Sequence, residues 1–464
     1  MIFGKIKKIH FVGIGGIGMS GIAELLLNLG FQVSGSDISL TEITNKLRQK
    51  GAIIHSGHDS NFINDCDVLV YSSAVNLDNP ELQSAKRRGI PVIRRAEMLG
   101  ELLKLKTKSI AVAGTHGKTT TTSMVGRILT EANLDPTIVV GGVVKSLGVN
   151  ALLGSGEVIV VEADEFDRSF LQLQPTHAII TTIDRDHMEC YEGEEDLLAA
   201  FTQFANAVPF YGTVIACRDD KLVQRIIPNI SRPKITYGFS PGADLVAEHI
   251  TYHEIHTEFY VRQNGNILGQ IHLQVPGDHN IKNALASIAL CMEMNIEFGT
   301  IQKGLAQFTG VRRRFDIKGI FNDIMVVDDY AHHPTEVAAT VEGIKKGWGD
   351  RRLVCVFQPH LYSRTQEFVE EFAHSFKKCD LLVVTDVYPA REDPIEGVTG
   401  KLIVNAAKMM GNDQTYWIED KENIVKFLTN EVMPGDLVIT MGAGDIWKYC
   451  DQFVDELLKL EVAV

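Results

Sequence analysis

The sequence predicts an α/β protein of three domains, because it is long and strand-like segments alternate with helix-like segments along it. The chain has 464 residues, and about 150 residues per domain corresponds to roughly three domains. Short apolar runs are followed by segments of helical periodicity from residue 8 onward. We place the domains at residues 1–104, 105–311 and 312–464.

The first domain opens with a strand–helix–strand pattern around a glycine-rich turn. Residues 8–12 and 31–37 are typical of strands, and residues 19–29 have helical periodicity. The turn Gly13-Ile14-Gly15-Gly16-Ile17-Gly18 fits the dinucleotide fingerprint, and Asp37 follows Gly18 by nineteen residues. A Rossmann-like domain is therefore predicted. NAD is one candidate ligand, but the turn specifies only a diphosphate and suits any nucleotide diphosphate.

The second domain begins at a phosphate-binding pattern. The apolar run 109–112 precedes Gly114-Thr115-His116-Gly117-Lys118-Thr119-Thr120, and a helical pattern follows. Glycines let backbone N–H groups approach a phosphate, Lys118 supplies positive charge, and Thr119 can reach Mg²⁺. The usual P-loop spacing would put its first glycine at position 112, which is Val112. A glycine-rich turn without a ligand is the alternative.

The rest of the chain continues the alternation. Apolar runs at 158–161 and 178–181 are typical of parallel strands covered on both faces, so a P-loop ATPase-type parallel sheet is predicted. Period-two alternation over 244–275, with Asn264-Gly265 near its centre, predicts a small antiparallel sheet in the same domain. A helix is predicted over 279–294. Four further strands, at 323–328, 352–358, 380–386 and 436–441, predict a Rossmann-like third domain.

Polar residues directly after two predicted strands are candidates for a metal site. Glu162 follows the run 158–161, with Asp164 close behind, and Asp184, Asp186 and His187 follow the next strand. The carboxyl ends of parallel strands face the ligand crevice, and Mg²⁺ prefers oxygen ligands. Capping of the following helix is the alternative for each acid.

The later segments add further polar candidates. Asn280 lies at a predicted helix start, Arg314 ends a run of three arginines, and His360 and Arg364 follow a strand. The turn 328–333 carries two aspartates and two histidines. A tightly packed turn does not place all four on one ion, so we interpret it as facing a substrate.

Composition narrows the function classes. With 45 basic and 59 acidic residues the formal charge is −14, which argues against a nucleic-acid partner. No apolar run approaches the roughly 20 residues of a membrane span. Seven scattered cysteines without a CxxC pair predict neither a disulfide framework nor a zinc site, and they suit a cytoplasmic location.

Taken together, four segments resemble the Mur ligases: residues 10–21, 113–122, 162–165 and 328–336. The resemblance implies a UDP-sugar-binding first domain, a second domain that binds ATP and Mg²⁺, and a third that binds an amino acid. It points to the branch that joins L-alanine to UDP-N-acetylmuramate in peptidoglycan precursor synthesis. It also implies a monomer or a weak homodimer.

The resemblance assigns roles by position. It implies UDP-sugar contacts at Gly15, Gly16, Ser20, Asp37, Ser72 and Ser73. It implies ATP contacts at Gly114, Thr115, His116, Gly117, Lys118, Thr119, Thr120, Asn280, Arg314 and Asp329. Metal ligands would be Thr119, Glu162 and His187, and the residues lining the reaction crevice would be Tyr330, His332, His360 and Arg364. The catalytic set would be Lys118, Glu162, His187 and Arg314.

Two departures from the family pattern stand out. Later-acting relatives carry a carbamoylated lysine after the His187 position, whereas residues 188–220 contain no lysine. We consider Glu194, Glu195 or Asp196 as sources of the missing charge. Leu361 occupies a position that is basic in some relatives. The alternatives left open are a ligase that recycles a tripeptide onto the same sugar and an NAD-dependent oxidoreductase.

Overall fold

A computed structural model describes residues 3–63, 65–141, 151–390 and 392–462. Its backbone contacts divide the chain into two compact units. The first unit comprises Met1–Ile250, Phe259–His272 and Ile281–Phe308, and the second comprises Thr251–Glu258, Leu273–Asn280 and Thr309–Val464.

The first sheet has five parallel strands in the order β3-β2-β1-β4-β5. Its elements are β1 Lys8–Val12, α1 Ile17–Asn28, β2 Gln32–Asp37, α2 Glu42–Gln49, β3 Ile53–Ser56, β4 Val68–Tyr71, α3 Pro80–Arg87, β5 Val92–Arg94 and α4 Arg95–Leu103. The strand order reverses beside β1, which places the glycine turn at the edge where such folds bind ligands. The predicted Rossmann-like arrangement is confirmed.

The second sheet has ten strands in the order β15-β14-β13-β12-β11-β10-β6-β9-β7-β8. The elements that build it and flank it are β6 Lys108–Ala113, α5 Lys118–Glu131, β7 Thr137–Val139, β8 Ala151–Leu152, β9 Val158–Ala163, β10 His177–Ile180, α6 Glu194–Asn206, β11 Thr213–Cys217, α7 Lys221–Ile226, β12 Lys234–Gly238, β13 Leu245–His253, β14 His256–Gln263, β15 Asn266–Leu273, α8 Asp278–Glu293 and α9 Phe298–Ala306. Neighbouring strands pair in parallel from β12 through β11, β10, β6 and β9 to β7. The short β8 pairs antiparallel with β7.

The predicted hairpin is present, but it does not form a separate small sheet. Asn264 and Gly265 have φ angles of 50° and 83° and join β14 to β15 in a two-residue turn, which requires an antiparallel pair. β13 pairs in parallel with β12, so the hairpin strands extend the parallel sheet into a mixed one. The alternating pattern predicts the hairpin, whereas its attachment to β12 depends on a pairing that the pattern does not specify.

The third sheet has the order β16-β17-β21-β18-β19-β20, with β16 antiparallel to β17 and the other pairs parallel. Its elements are β16 Asp316–Phe321, β17 Ile324–Asp329, α10 Pro334–Gly347, β18 Arg352–Phe357, α11 Tyr362–Glu367, α12 Val369–Ser375, β19 Leu381–Thr385, α13 Lys401–Met409, β20 Thr415–Ile418, α14 Ile424–Glu431, β21 Asp436–Met441 and α15 Trp447–Val462. The four predicted strands correspond to β17, β18, β19 and β21.

One hydrophobic core runs through the first unit and joins its two sheets. It contains Ile9 of β1, Leu99 of α4, Ala111 of β6 and Phe204 of α6, all almost completely buried. This shared core fixes the first sheet against the second. Within the described ranges, no helix combines the length and the apolarity that a bilayer crossing requires.

Candidate functional site

The loop between β6 and α5 has the backbone geometry of a phosphate cradle. Gly114 has a φ of 131°, and a methyl group on it would stand 2.1 Å from Thr181 Oγ1. Gly117 has a φ of 84°, and a methyl group there would stand 2.5 Å from Asn283 Oδ1. Only glycine fits either position. The loop leads directly into the amino end of α5. The first N–H groups of that helix have no partner within it and are available to an anion.

Neighbouring residues hold this cradle in place. The backbone N–H of Thr115 donates to the carbonyl of Thr182 at 2.9 Å, and the N–H of His116 donates to Thr182 Oγ1 at 3.1 Å. The Thr115 hydroxyl accepts the N–H of Asp184 at 2.9 Å. The His116 ring lies 3.1 Å from the Asp184 carboxylate. The loop is thus tied through Thr115 and His116 to Thr182 and Asp184, which follow β10.

Lys118, the first residue of α5, has a carboxylate partner. Its Nζ donates to Glu165 Oε2 at 2.6 Å and to the Thr115 carbonyl at 3.3 Å. Burial opposes the charged ammonium, but the carboxylates of Glu165, Asp164 and Glu162 outweigh it and raise the pKa of Lys118. The lysine is therefore a fixed cation at the cradle.

Glu162 lies at the end of β9, which pairs directly with β6. It accepts hydrogen bonds from the Thr119 hydroxyl and the Gly141 N–H. Its other oxygen, Oε1, is buried and has no hydrogen-bond partner among the described residues. Burial raises the pKa of this carboxyl despite those bonds. A buried carboxylate oxygen without a partner is costly unless a cation binds it, so this atom fits a metal ligand.

His187 lies among carboxylates near the cradle. Its ring makes an edge contact with Phe166 at 5.1 Å and lies 3.9 Å from Asp186 and 3.8 Å from Glu189. Burial favours the neutral ring, but Glu189, Asp186 and Glu165 outweigh it and raise the pKa of His187. The structure thus groups His187 with Lys118 and the acids of the β9 loop.

The acids considered as substitutes for the carbamoylated lysine are paired elsewhere. Glu194 bonds to Arg185 at 3.0 Å and also to Arg225, and Glu195 pairs with Arg225 as well. Asp196 accepts the N–H of Glu192 at 2.9 Å and pairs with Arg168. Each carboxylate at the start of α6 is neutralised by an arginine. Glu165 instead places a buried carboxylate beside Lys118, and this contact is not evident from the strand pattern.

The glycine turn of the first sheet is held from β2. The Asp37 carboxylate accepts the N–H of Gly15 at 2.8 Å, and the Ser36 carbonyl accepts the N–H of Gly13 at 2.9 Å. The Ser20 hydroxyl donates to the Ile17 carbonyl at 2.9 Å within α1. The hydrogen bond from Gly15 therefore holds the Asp37 carboxylate against the glycine turn. Gly16 caps α1, and Ser72 and Ser73 follow β4 at the same edge of the sheet.

Behind that turn lies a buried polar cluster that the sequence does not indicate. Glu81 of α3 is completely buried and contacts His10 Nε2 at 2.6 Å and His58 Nδ1 at 2.9 Å. Ser34 and Ser36 of β2 bind the same two histidines. Burial disfavours the Glu81 carboxylate, but the bonds from His10, Ser36 and His58 outweigh it and lower its pKa.

In the second unit, Arg314 and Asp329 lie together. Arg314 Nη1 donates to Glu336 Oε1 at 3.0 Å, and its guanidinium lies 5.2 Å from the Tyr330 ring. Asp329 accepts the N–H groups of Phe315 at 2.8 Å and Ala331 at 2.7 Å. Burial raises the pKa of Asp329 to about 6, although Arg314 opposes the rise.

The predicted crevice residues of the second unit also form a cluster. The His332 ring meets the rings of Tyr330 and His360 edge-on, at 5.2 and 5.7 Å. Arg364 Nη1 lies 3.5 Å from His360 Nδ1, and the Tyr388 ring stacks on His360 at 5.8 Å. Tyr388 was missed by sequence reasoning because no motif marks it. Asn280 lies in the first turn of α8, and its side-chain amide donates to the Pro276 carbonyl at 2.7 Å.

Comparisons with known proteins agree along the whole chain. The model of the Mur ligase family catalytic domain matches residues 8–107, that of the Mur ligase middle domain matches residues 112–291, and that of the Mur ligase glutamate ligase domain matches residues 313–444. The UDP-N-acetylmuramate–L-alanine ligase of Geotalea uraniireducens is 52% identical over 456 residues, which are 98% of this chain and 99% of that protein.

Solved structures are similar over the same length. A UDP-N-acetylmuramate-alanine ligase from Thermotoga maritima superposes with a TM-score of 0.83 at 32% identity, covering 97% of this chain and 99% of that one. A murein peptide ligase from Psychrobacter arcticus superposes with a TM-score of 0.71 at 25% identity, covering 97% and 98%.

Proposed function

The chain belongs to the Mur ligase family, and from that premise we propose that it joins L-alanine to the lactyl carboxylate of UDP-N-acetylmuramate at the expense of ATP. The observation that carries the chemistry is the phosphate cradle at Lys118 beside the Glu162 oxygen that has no hydrogen-bond partner among the described residues. This combination suits phosphoryl transfer from a nucleoside triphosphate.

The reaction proceeds in two steps. The sugar's carboxylate attacks the γ-phosphate of ATP, which gives an acyl phosphate and releases ADP. The neutral amine of L-alanine then attacks the acyl carbon, phosphate leaves, and the amine loses a proton as the amide forms. Negative charge grows on phosphate oxygens in the first step, so the fixed ammonium of Lys118 stabilises it. We assign the same role to the half-buried guanidinium of Arg314.

The residues at the cradle fit Mg²⁺. Within the part of the chain that the structure describes, Glu162 offers a buried oxygen without a hydrogen-bond partner, and the Thr119 hydroxyl donates to the same carboxylate. We assign Thr119, Glu162 and His187 as the residues that would hold the ion. When bound, Mg²⁺ neutralises charge on the phosphates. The protein's own part is to place these donors at the mouth of the cradle.

The remaining site residues keep the roles that the family resemblance implies. The glycine turn, Asp37, Ser72 and Ser73 would bind the UDP sugar. The cluster of Tyr330, His332, His360 and Arg364 would receive the amino acid. The domain boundaries, the monomer or weak homodimer and the cytoplasmic location also stay proposals.

The two alternatives are weaker. The murein peptide ligase shares 25% identity with this chain, against 52% for the alanine-adding relative. An NAD-dependent oxidoreductase leaves the cradle at Lys118 without a use.

Phosphate release from ATP tests the proposal. We expect release that needs both UDP-N-acetylmuramate and L-alanine, with the amide product confirmed by mass spectrometry. Release that depends on a tripeptide rather than on alanine would identify the recycling activity. Nicotinamide turnover without phosphate release would reject a ligase altogether.

A further inference from the structure

Two arginines at the start of α4 reach the acidic loop that follows β9. Arg94 Nη1 lies 2.9 Å from the Asp167 carboxylate, and Arg95 Nη2 lies 3.8 Å from Asp164 Oδ2. Both pairs join the first sheet's domain to the loop that carries Glu165, the partner of Lys118. Two ion pairs therefore connect the start of α4 to the loop whose Glu165 pairs with Lys118.

Arg95 also lies against the glycine turn, because its guanidinium packs on Gly18. A methyl group on Gly18 would stand 3.2 Å from Arg95 Nη1 and 3.6 Å from Cζ. Gly18 is in the first turn of α1, and that turn contains no acidic residue. A cation beside a positive helix end is unfavourable unless an anion is shared between them. This end of α1 thus presents a guanidinium and a helix amino terminus to one place.

Asp164, on the loop after β9, is the acidic partner of Arg95. Its backbone is fixed, since its carbonyl accepts the N–H of Phe170 at 3.0 Å and the hydroxyl of Ser169 at 2.9 Å. Its side chain is 40% exposed, so the carboxylate can change partner. The same carboxylate acts electrostatically on Lys118 and Glu165.

We infer that Arg95 binds the diphosphate of the sugar nucleotide and is shared with Asp164, so that filling the first nucleotide loop withdraws positive charge from the loop beside Lys118. Guanidinium suits this position because it offers two donor edges at once, Nη1 toward Gly18 and Nη2 toward Asp164. The inference rests on the proposed function, since it names a residue and a coupling within the UDP-sugar site.

Calorimetric titration of the full-length protein with UDP-N-acetylmuramate and with UDP alone tests this. Arg95→Ala should raise Kd for both ligands about 10-fold or more, as expected for lost charge-assisted hydrogen bonds. Arg95→Lys keeps the positive charge but loses the planar guanidinium with its two donor edges. Its Kd should therefore lie between those of wild type and Arg95→Ala. Asp164→Asn should lower Kd about 2-fold to 5-fold, because it removes the competitor for Arg95.

Arg94→Ala is the matched control, because it removes an equal charge and a neighbouring ion pair, and its guanidinium lies against Tyr71 instead of Gly18. We expect it to leave Kd unchanged. The decisive measurement is the double variant: Asp164→Asn should have no effect once Arg95 is alanine.

Three results would overturn the inference: an unchanged Kd in Arg95→Ala, an equal loss in Arg94→Ala, or a loss seen with the full sugar nucleotide and not with UDP. Circular dichroism and thermal melting of each variant identify any that fail to fold, and Arg95→Lys then carries the test. A wild-type chain that neither binds UDP-N-acetylmuramate nor releases phosphate with alanine would instead reject the proposed function.

Discussion

Lys118 Nζ lies 2.6 Å from Oε2 of Glu165, a residue that is 1% exposed. The lysine of the phosphate cradle therefore has a counter-ion on the loop after β9. Tyr191 fixes that loop, since its hydroxyl donates to the Glu165 carbonyl at 2.6 Å. The contact holds the ammonium where phosphate oxygens would meet it, without an entropic cost at the moment of binding.

Replacing Lys118 by alanine should abolish ligation. We expect at least a 100-fold lower rate of phosphate release, about 3 kcal/mol of lost transition-state stabilisation. Binding of UDP-N-acetylmuramate should stay nearly intact, because the glycine turn belongs to the other sheet of the first unit. Calorimetry of sugar binding checks the second part, and a parallel loss of binding would contradict the assignment of the two loops.

Replacing Glu165 by glutamine keeps the shape of the side chain and removes its charge. Lys118 then lacks its ion pair, so we expect about a 10-fold lower rate, in line with a hydrogen bond to a charged group. Steady-state kinetics with varied ATP measures the effect. Glu157→Gln, at the exposed residue before β9, is the control and should behave like wild type. Equal rates in Glu165→Gln and wild type would show that the pair has no part in catalysis.

The raised pKa of Asp329 should make the stability of the folded chain depend on pH. Its pKa is about 6 in the folded chain against an ordinary 3.8, so folding favours the protonated form. Its contribution to stability is fully present below about pH 4 and is lost as the pH rises through 6; the full loss is about 3 kcal/mol. Asp329→Asn removes this dependence and should gain thermal stability relative to wild type between pH 4 and 7. Parallel melting curves across that range would refute the prediction.

The buried Glu81 cluster should support the first domain. Replacing Glu81 by alanine leaves His10 and His58 without their shared carboxylate, and about 3 kcal/mol of stability should be lost. Because the folded pKa of Glu81 is lowered, the wild-type advantage should shrink as the pH falls below the ordinary value of 4.5. Thermal melting of both proteins at several pH values measures this. The control Glu101→Ala removes an exposed carboxylate that accepts a hydrogen bond from Lys104, and this variant should melt like wild type.

The sequence by itself determined the three α/β sheets and the two glycine-rich loops at residues 13–18 and 114–117. Local features were enough for these, because strand periodicity, glycines at left-handed φ and a lysine at a helix start are written in neighbouring residues. It also predicted that Glu162 and His187 follow strands, and the structure places Glu162 near the end of β9 and His187 seven residues after the end of β10.

Only the tertiary structure decided which charges meet. Glu165 reaches Lys118, Arg95 reaches both Gly18 and Asp164, and the acids of α6 pair with arginines, and none of these contacts follows from spacing along the chain. The attachment of the β13–β15 strands to the parallel sheet was decided in the same way. The physical reason is that long-range packing selects one partner among many similar carboxylates, and a local pattern carries no information about that choice.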